Sequence, residues 1–277
     1  MPAVLDFAAA LAEASRSDLL ADPYLMSAAL DDFVRLFPVD GILVTLRPDE
    51  LSLGFSAPGS AERAALTNEV GSAVPPAVEV CTEAMSRLRD LHGDRVGLGV
   101  LLPGPATVAA EAQIDPSEDA LERIVTRLLA LCLMLEPPKL DVLGVLETVP
   151  LGDAEVELLG RALSPLWNAI GFYSMPSLFE AASAGPAVGN VGASAVGVWS
   201  PESVEGRVAG GASQVASALR PPESVPAQPE AGTFFGTAGE LPADTDVEWL
   251  QAVATATAAL RPNAAGSGID TEGIVPE

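Results

Sequence analysis

Phe234-Phe235-Gly236-Thr237-Ala238-Gly239-Glu240-Leu241-Pro242-Ala243-Asp244-Thr245 is the stretch whose reading decides the fold. Two adjacent aromatics give a short buried-strand signal, and Gly236 and Gly239 permit a tight turn. Thr245-Asp246-Val247-Glu248 then has the spacing of a capping box, in which hydroxyl and carboxylate each satisfy an orphan backbone N–H. Strand, turn and capped helix make one βα unit. Working outward, short apolar runs alternate with longer amphipathic ones, the pattern of repeated βα units on a mainly parallel sheet. The apolar runs place strands at 41–46, 96–102, 142–147, 169–174, 195–200, 207–212 and 233–237. Between the second and third, Asp115-Pro116-Ser117-Glu118 opens a helix whose inward stripe is Leu121, Ile124, Leu128, Leu131 and Leu135.

The chain has 277 residues, 49% of them apolar, which is enough for one large core without splitting into two. The expected architecture is an α/β (β/α)8 TIM-barrel-like domain over residues 1–260, followed by a loose tail over 261–277. Seven strands are one short of that barrel, and the chain opens with a helix-like segment at 4–13. Either a first strand escapes the pattern, or the barrel is incomplete and something covers its open edge. Residues 220–232 hold four prolines, so any helix there is short or replaced by a loop.

Charge narrows the partners. A formal net charge of −24, with 14 basic residues in all, repels the phosphates of nucleic acid and anionic lipid headgroups. Each apolar run is broken by Pro, Asp, Glu or Arg before reaching the eighteen or so residues of a membrane span. Cys81 and Cys132 lie in helical apolar patterns, and no secretory leader opens the chain, so a reducing cytoplasm is expected. A small-molecule ligand is expected, with a homodimer contact or a partner protein chain as further partners; neither cofactor nor metal is expected.

Several segments resemble one known family. Phe37-Pro38-Val39-Asp40-Gly41-Ile42-Leu43-Val44 is similar to the second-strand region of the uroporphyrinogen decarboxylase and cobalamin-independent methionine synthase superfamily. Gly99-Val100-Leu101-Leu102-Pro103-Gly104-Pro105-Ala106-Thr107-Val108 resembles that family's third strand and Gly-Pro turn. Leu140-Asp141-Val142-Leu143-Gly144-Val145-Leu146-Glu147 resembles its fourth strand, and the opening stretch its closing motif. The resemblance spans most of 23–260 and implies a barrel that performs decarboxylation or methyl transfer. The family's reactive residues carry over poorly. Nothing before Gly41 matches the Arg-rich first strand, and Val44 and Thr45 stand where its substrate-holding acid belongs. The zinc-binding "H-x-C" aligns with Phe172-Tyr173-Ser174, and the closing cysteine with Gly239. A zinc site needs three or more converging His, Cys or carboxylate ligands.

A barrel would place its ligand at the C-terminal ends of the strands. That geometry nominates Glu147, Tyr173 and Glu240 as catalytic candidates, with Arg47, Asp49, Gly104, Pro105, Ser174 and Trp199 as substrate contacts. Glu147 ends an apolar strand, where a carboxylate either acts as general base or binds a neighbouring backbone N–H. Arg47 beside Asp49 is either an anion contact or a surface ion pair. Glu240 faces a pocket or water; Tyr173 and Trp199 wall a pocket or fill the barrel mouth; Ser174 and Ser200 read best as helix caps. His92, the only histidine, reads as a group serving a helix C-terminus. Two further readings follow: a non-catalytic barrel subunit of a larger complex, and a partner of a corrinoid carrier protein.

Overall fold

The computed structural model describes residues 3–51, 74–135, 139–184, 191–198, 216–218, 234–236, 243–248, 250–251 and 254–255. Helices α1 (Leu5–Leu11), α2 (Arg16–Leu19) and α3 (Pro23–Leu36) precede strand β1 (Gly41–Thr45). Then come α4 (Pro76–His92), β2 (Gly97–Pro103), α5 (Pro105–Glu111), α6 (Glu118–Met134), β3 (Val142–Leu151), α7 (Asp153–Phe172) and β4 (Ser177–Ala184). Strands β5 (Ala195–Val198), β6 (Ala216–Ala218) and β7 (Phe234–Gly236) follow. Helix starts obey local chemistry. Asp22 caps α3, accepting from the N–H groups of Tyr24 at 2.8 Å and Leu25 at 3.3 Å, with Pro23 at the first helical position.

Strands β1 to β5 form one parallel sheet in sequential order, and β6 and β7 form a second parallel pair. Strand β6 runs close beside β5. At the far edge, Ala3 makes a single parallel bridge to Leu43, with the Val4 N–H donating to the Leu43 carbonyl at 3.1 Å. Ala3 thus stands beside β1 as an isolated bridge, and α1 begins two residues later at Leu5. The described strands make an open parallel sheet, and a closed barrel is not seen among them.

Because side chains alternate across a strand, the pairing register sorts the sheet into two faces. Ile42, Val44, Leu98, Val100, Leu102, Leu143, Val145, Phe179 and Ala181 join the large core beneath the helices. Ala3, Leu43, Leu101 and Leu178 form a separate cluster on the other face, with Val142 and Leu146 packed against it. Glycines alternate with these large residues. A Cβ on Gly99 would lie 2.5 Å from Leu43 Cδ2, and one on Gly144 would lie 2.2 Å from the Leu178 carbonyl oxygen. Alternating large and small residues is how the concave side of a curling sheet is filled.

Two expectations are corrected. Residues 169–174 are not a strand: Leu159, Leu163, Leu166 and Ile170 repeat at helical spacing and carry α7 through to Phe172. Pro165 lies inside that helix on its exposed side. The strand lies at Ser177–Ala184 instead, where Glu180 and three alanines dilute the apolar signal. The α6 stripe is buried as expected, but the helix starts two residues later than a Pro116 start, with Ser117 at the cap position. The expected strand at 207–212 lies outside the described residues. In the final helix, Asp246 accepts from the Glu248 N–H at 2.8 Å.

Candidate functional site

Parallel strands bring all their C-terminal ends to one edge, which makes that edge the ligand-binding side of an α/β sheet. Thr45 and Pro103 end β1 and β2 there on the face away from the helices, and Leu146 and Glu180 lie level with Pro103 through the pairings of Pro103 with Leu146, Leu146 with Glu180 and Glu180 with Gly197, while β3 and β4 run on to Leu151 and Ala184. Among the described residues of β1 to β4 on that face, Glu180 is the one charged side chain, and it is buried with 1% exposure. Sequence reading missed it because the strand that carries it was placed eight residues early. The signal available was Leu178-Phe179 between Pro176 and Gly185-Pro186, a short apolar run between breakers.

Glu147 lies on the opposite face, since it alternates with Leu146 and shares the orientation of Leu143 and Val145. Its carboxylate accepts from the Ala106 N–H at 2.9 Å, the Thr107 N–H at 2.7 Å and the Thr107 hydroxyl at 2.7 Å. Those backbone groups are orphan donors in the first turn of α5, so Glu147 caps a helix from across the sheet. Gly104 makes room for it: a Cβ there would fall 2.1 Å from Glu147 Cδ. Gly104 caps α5, Pro105 holds its first helical position, and the Gly104 N–H donates to the Leu146 carbonyl at 2.8 Å. Burial pushes the Glu147 carboxyl up to about 7, while the Thr107 hydroxyl and the two backbone donors pull it down. The backbone-binding reading of this residue accounts for each of these contacts; a general base open to a ligand on the sheet's other face does not fit its orientation.

Beyond β1 the rim is a charge network. Arg16, 10% exposed, binds both carboxylate oxygens of Glu50 at 2.5 and 3.1 Å, Asp6 at 3.1 Å and the Thr45 carbonyl at 2.5 Å. Arg47 pairs with Asp6 at 2.5 Å, and its N–H donates to Glu50 at 2.7 Å. The Asp6 partner ties Arg47 to α1, a segment distant in sequence. Glu111, at the end of α5, has its carboxyl raised by burial and by Asp49 and lowered by Arg47, which puts all three charges at one part of the rim.

Tyr173 and Ser174 sit at the other end of the sheet. They lie in the α7–β4 turn, which precedes the start of β4, and Ser177 pairs with Leu143 near the start of β3. Their assignment to the strand-end site is thereby corrected; the cause is the displaced strand. Trp199, Ser200 and Glu240 lie outside the described residues. His92 also belongs to the lower end, where its Nε2 lies 2.8 Å from Asp31 Oδ1 in an open groove of about 490 Å³ lined by Asp31, Arg35, Leu91 and Arg95. Among the described residues no three His, Cys, Asp or Glu side chains converge as metal ligands, and no helix is long and apolar enough to cross a membrane. Cys81 and Cys132 are buried thiols pushed up to about 12 by desolvation.

No protein-family model matches the chain, and no curated protein matches it. Among solved structures it is similar to a methyltransferase from Methanosarcina mazei, with a TM-score of 0.64 over 93% of this chain and 91% of that one. The two share 13% sequence identity, so the likeness is one of fold.

Proposed function

We propose that this chain is a divergent α/β barrel enzyme of the uroporphyrinogen decarboxylase and methionine synthase superfamily that acts on a small molecule, with methyl transfer the favoured reaction and decarboxylation the second. The observation that carries the reading is the likeness in fold to a methyltransferase over nearly the full length of both chains. We place Ala3, β1 to β5 and the separate β6–β7 pair as eight successive positions around one barrel, with β7 beside Ala3 closing it. In that closed form the face holding Leu43, Leu101, Leu178 and Glu180 is the lumen. Glu180 then supplies the acid group of the site, with Thr45 below it and Arg47 and Asp49 on the rim. Trp199 and Glu240 belong to segments that follow β5 and β7, and the proposal places them at the same mouth.

A non-catalytic barrel subunit is the second reading. It is favoured by the apolar face around Leu101 and by exposed Phe172, at 82% exposure, packed edge-to-face on Tyr173. Native purification from the host followed by mass spectrometry separates the two. The enzyme reading expects one small molecule bound at about one per chain, together with methyl transfer to or from it. A stoichiometric partner chain with no small molecule would contradict it, and a bound corrinoid carrier would redirect the reading to a subunit of a methyl-transfer complex.

A further inference from the structure

We propose that Glu147, Thr107 and Thr148 form a proton-linked latch that holds the turn between β2 and α5 closed and lets it open as the pH rises. The latch regulates the rim of the site proposed above, but it stands on its own geometry. Glu147 is fully buried and accepts three hydrogen bonds, all from the first turn of α5. Thr107 Oγ1 in turn accepts from the Thr148 N–H at 2.8 Å and lies 3.4 Å from Thr148 Oγ1. Thr148 is exposed, so two hydroxyls connect a carboxyl sealed from water to the solvent. A hydroxyl can rotate to donate or accept. Thr107 therefore donates to the carboxylate when Glu147 is ionised. When Glu147 is protonated, Thr107 can accept its proton at the same 2.7 Å and turn its own toward Thr148. The closed turn fits both charge states.

No charge balances the carboxylate in place. Glu147 is the one titratable residue of β3, and β2 has none. The titratable residue of β4, Glu180, stands on the other sheet face, and that of α5, Glu111, lies at the helix's far end. The buried sides of α6 and α7 carry no charged residue, with Leu121, Ile124, Val156 and Leu159 among them and the Cys132 thiol near the end of α6. An ionised Glu147 thus gains hydrogen bonds but loses water, and opening the turn restores water to it. The linkage sign follows. Burial raises this carboxyl from 4.5 to about 7, so the closed form holds its proton more tightly than an open form would. Raising the pH through this window removes the proton and favours opening.

Amide hydrogen exchange across pH 5 to 8.5, corrected for intrinsic chemistry, tests the latch. The opening constant read at Ala106, Thr107 and Val108 should rise by about 70-fold in the wild type, while strand amides at Val100 and Leu101 follow only the global change. In Glu147→Gln, whose side chain cannot ionise, the same ratio should be flat. Thr107→Val removes one donor to the carboxylate and should move the wild-type midpoint upward, which keeps the test open if the Gln variant fails to fold. A wild-type opening constant that is flat or falls with pH would overturn the proposal whatever ligand the site holds.

Discussion

Among the described residues the two faces of the sheet each bury one glutamate, Glu147 and Glu180, four residues before the ends of β3 and β4, and the contrast between them separates scaffold from candidate chemistry. Glu147 looks into the helix layer and spends its carboxylate on three donors of α5. Glu180 looks the other way, from a row whose neighbours are Leu146 and Gly197. One residue of register decides which face a carboxylate serves, so two similar buried acids meet different surroundings. The faces also differ in how they are filled. The helix side is packed by long side chains from both layers, whereas the far side relies on Gly99 and Gly144 yielding space to Leu43, Leu101 and Leu178.

The largest expected effect tests that second contrast. Gly144→Ala sets a methyl 2.2 Å from a backbone carbonyl that cannot move without breaking the β3–β4 pairing, and should cost about 4 kcal/mol or more by urea denaturation. Gly99→Ala meets the flexible tip of Leu43 at 2.5 Å and should cost only about 1–2 kcal/mol. Equal costs would mean that the far face is not packed as described. Next in size is the pH dependence of Glu147. Because its folded carboxyl is raised from 4.5 to about 7, the stability it lends is fully present below pH 4.5 and lost as the pH climbs through 7. The wild type should therefore lose about 3 kcal/mol across that window that Glu147→Gln does not lose. Thr107→Val should cost about 1–2 kcal/mol, because it strips a donor from Glu147 and an acceptor from the Thr148 N–H. Arg47→Ala, which removes a side chain that is 48% exposed, should change stability by less than about 1 kcal/mol.

How much of this was legible in the sequence depended on whether the signal was local. Strands β1, β2 and β3 and the α6 stripe were found because each is a continuous apolar pattern between breakers. By contrast, β4 was lost because Ala-Ile-Gly-Phe-Tyr-Ser has strand-like residues, although Leu163, Leu166 and Ile170 had already committed the segment to a helix. That single displacement carried Tyr173 and Ser174 to the wrong end of the sheet and hid Glu180. Glu147 was visible as a strand-terminal acid, but its facing required the register of β3 against β2 and β4, which no local pattern encodes. The Ala3 bridge was invisible for the same reason, since one residue makes no periodicity. The Arg16, Glu50, Asp6 and Arg47 network joins residues distant in sequence through folding alone.

The central claim is that the far face, and not the helix face, holds the ligand. Native mass spectrometry of protein purified from its host, comparing wild type with Glu180→Gln and Glu147→Gln at pH 6, measures this most directly. The expected result is a small molecule retained by the wild type and by Glu147→Gln and lost from Glu180→Gln. Retention in Glu180→Gln with loss from Glu147→Gln would contradict the account.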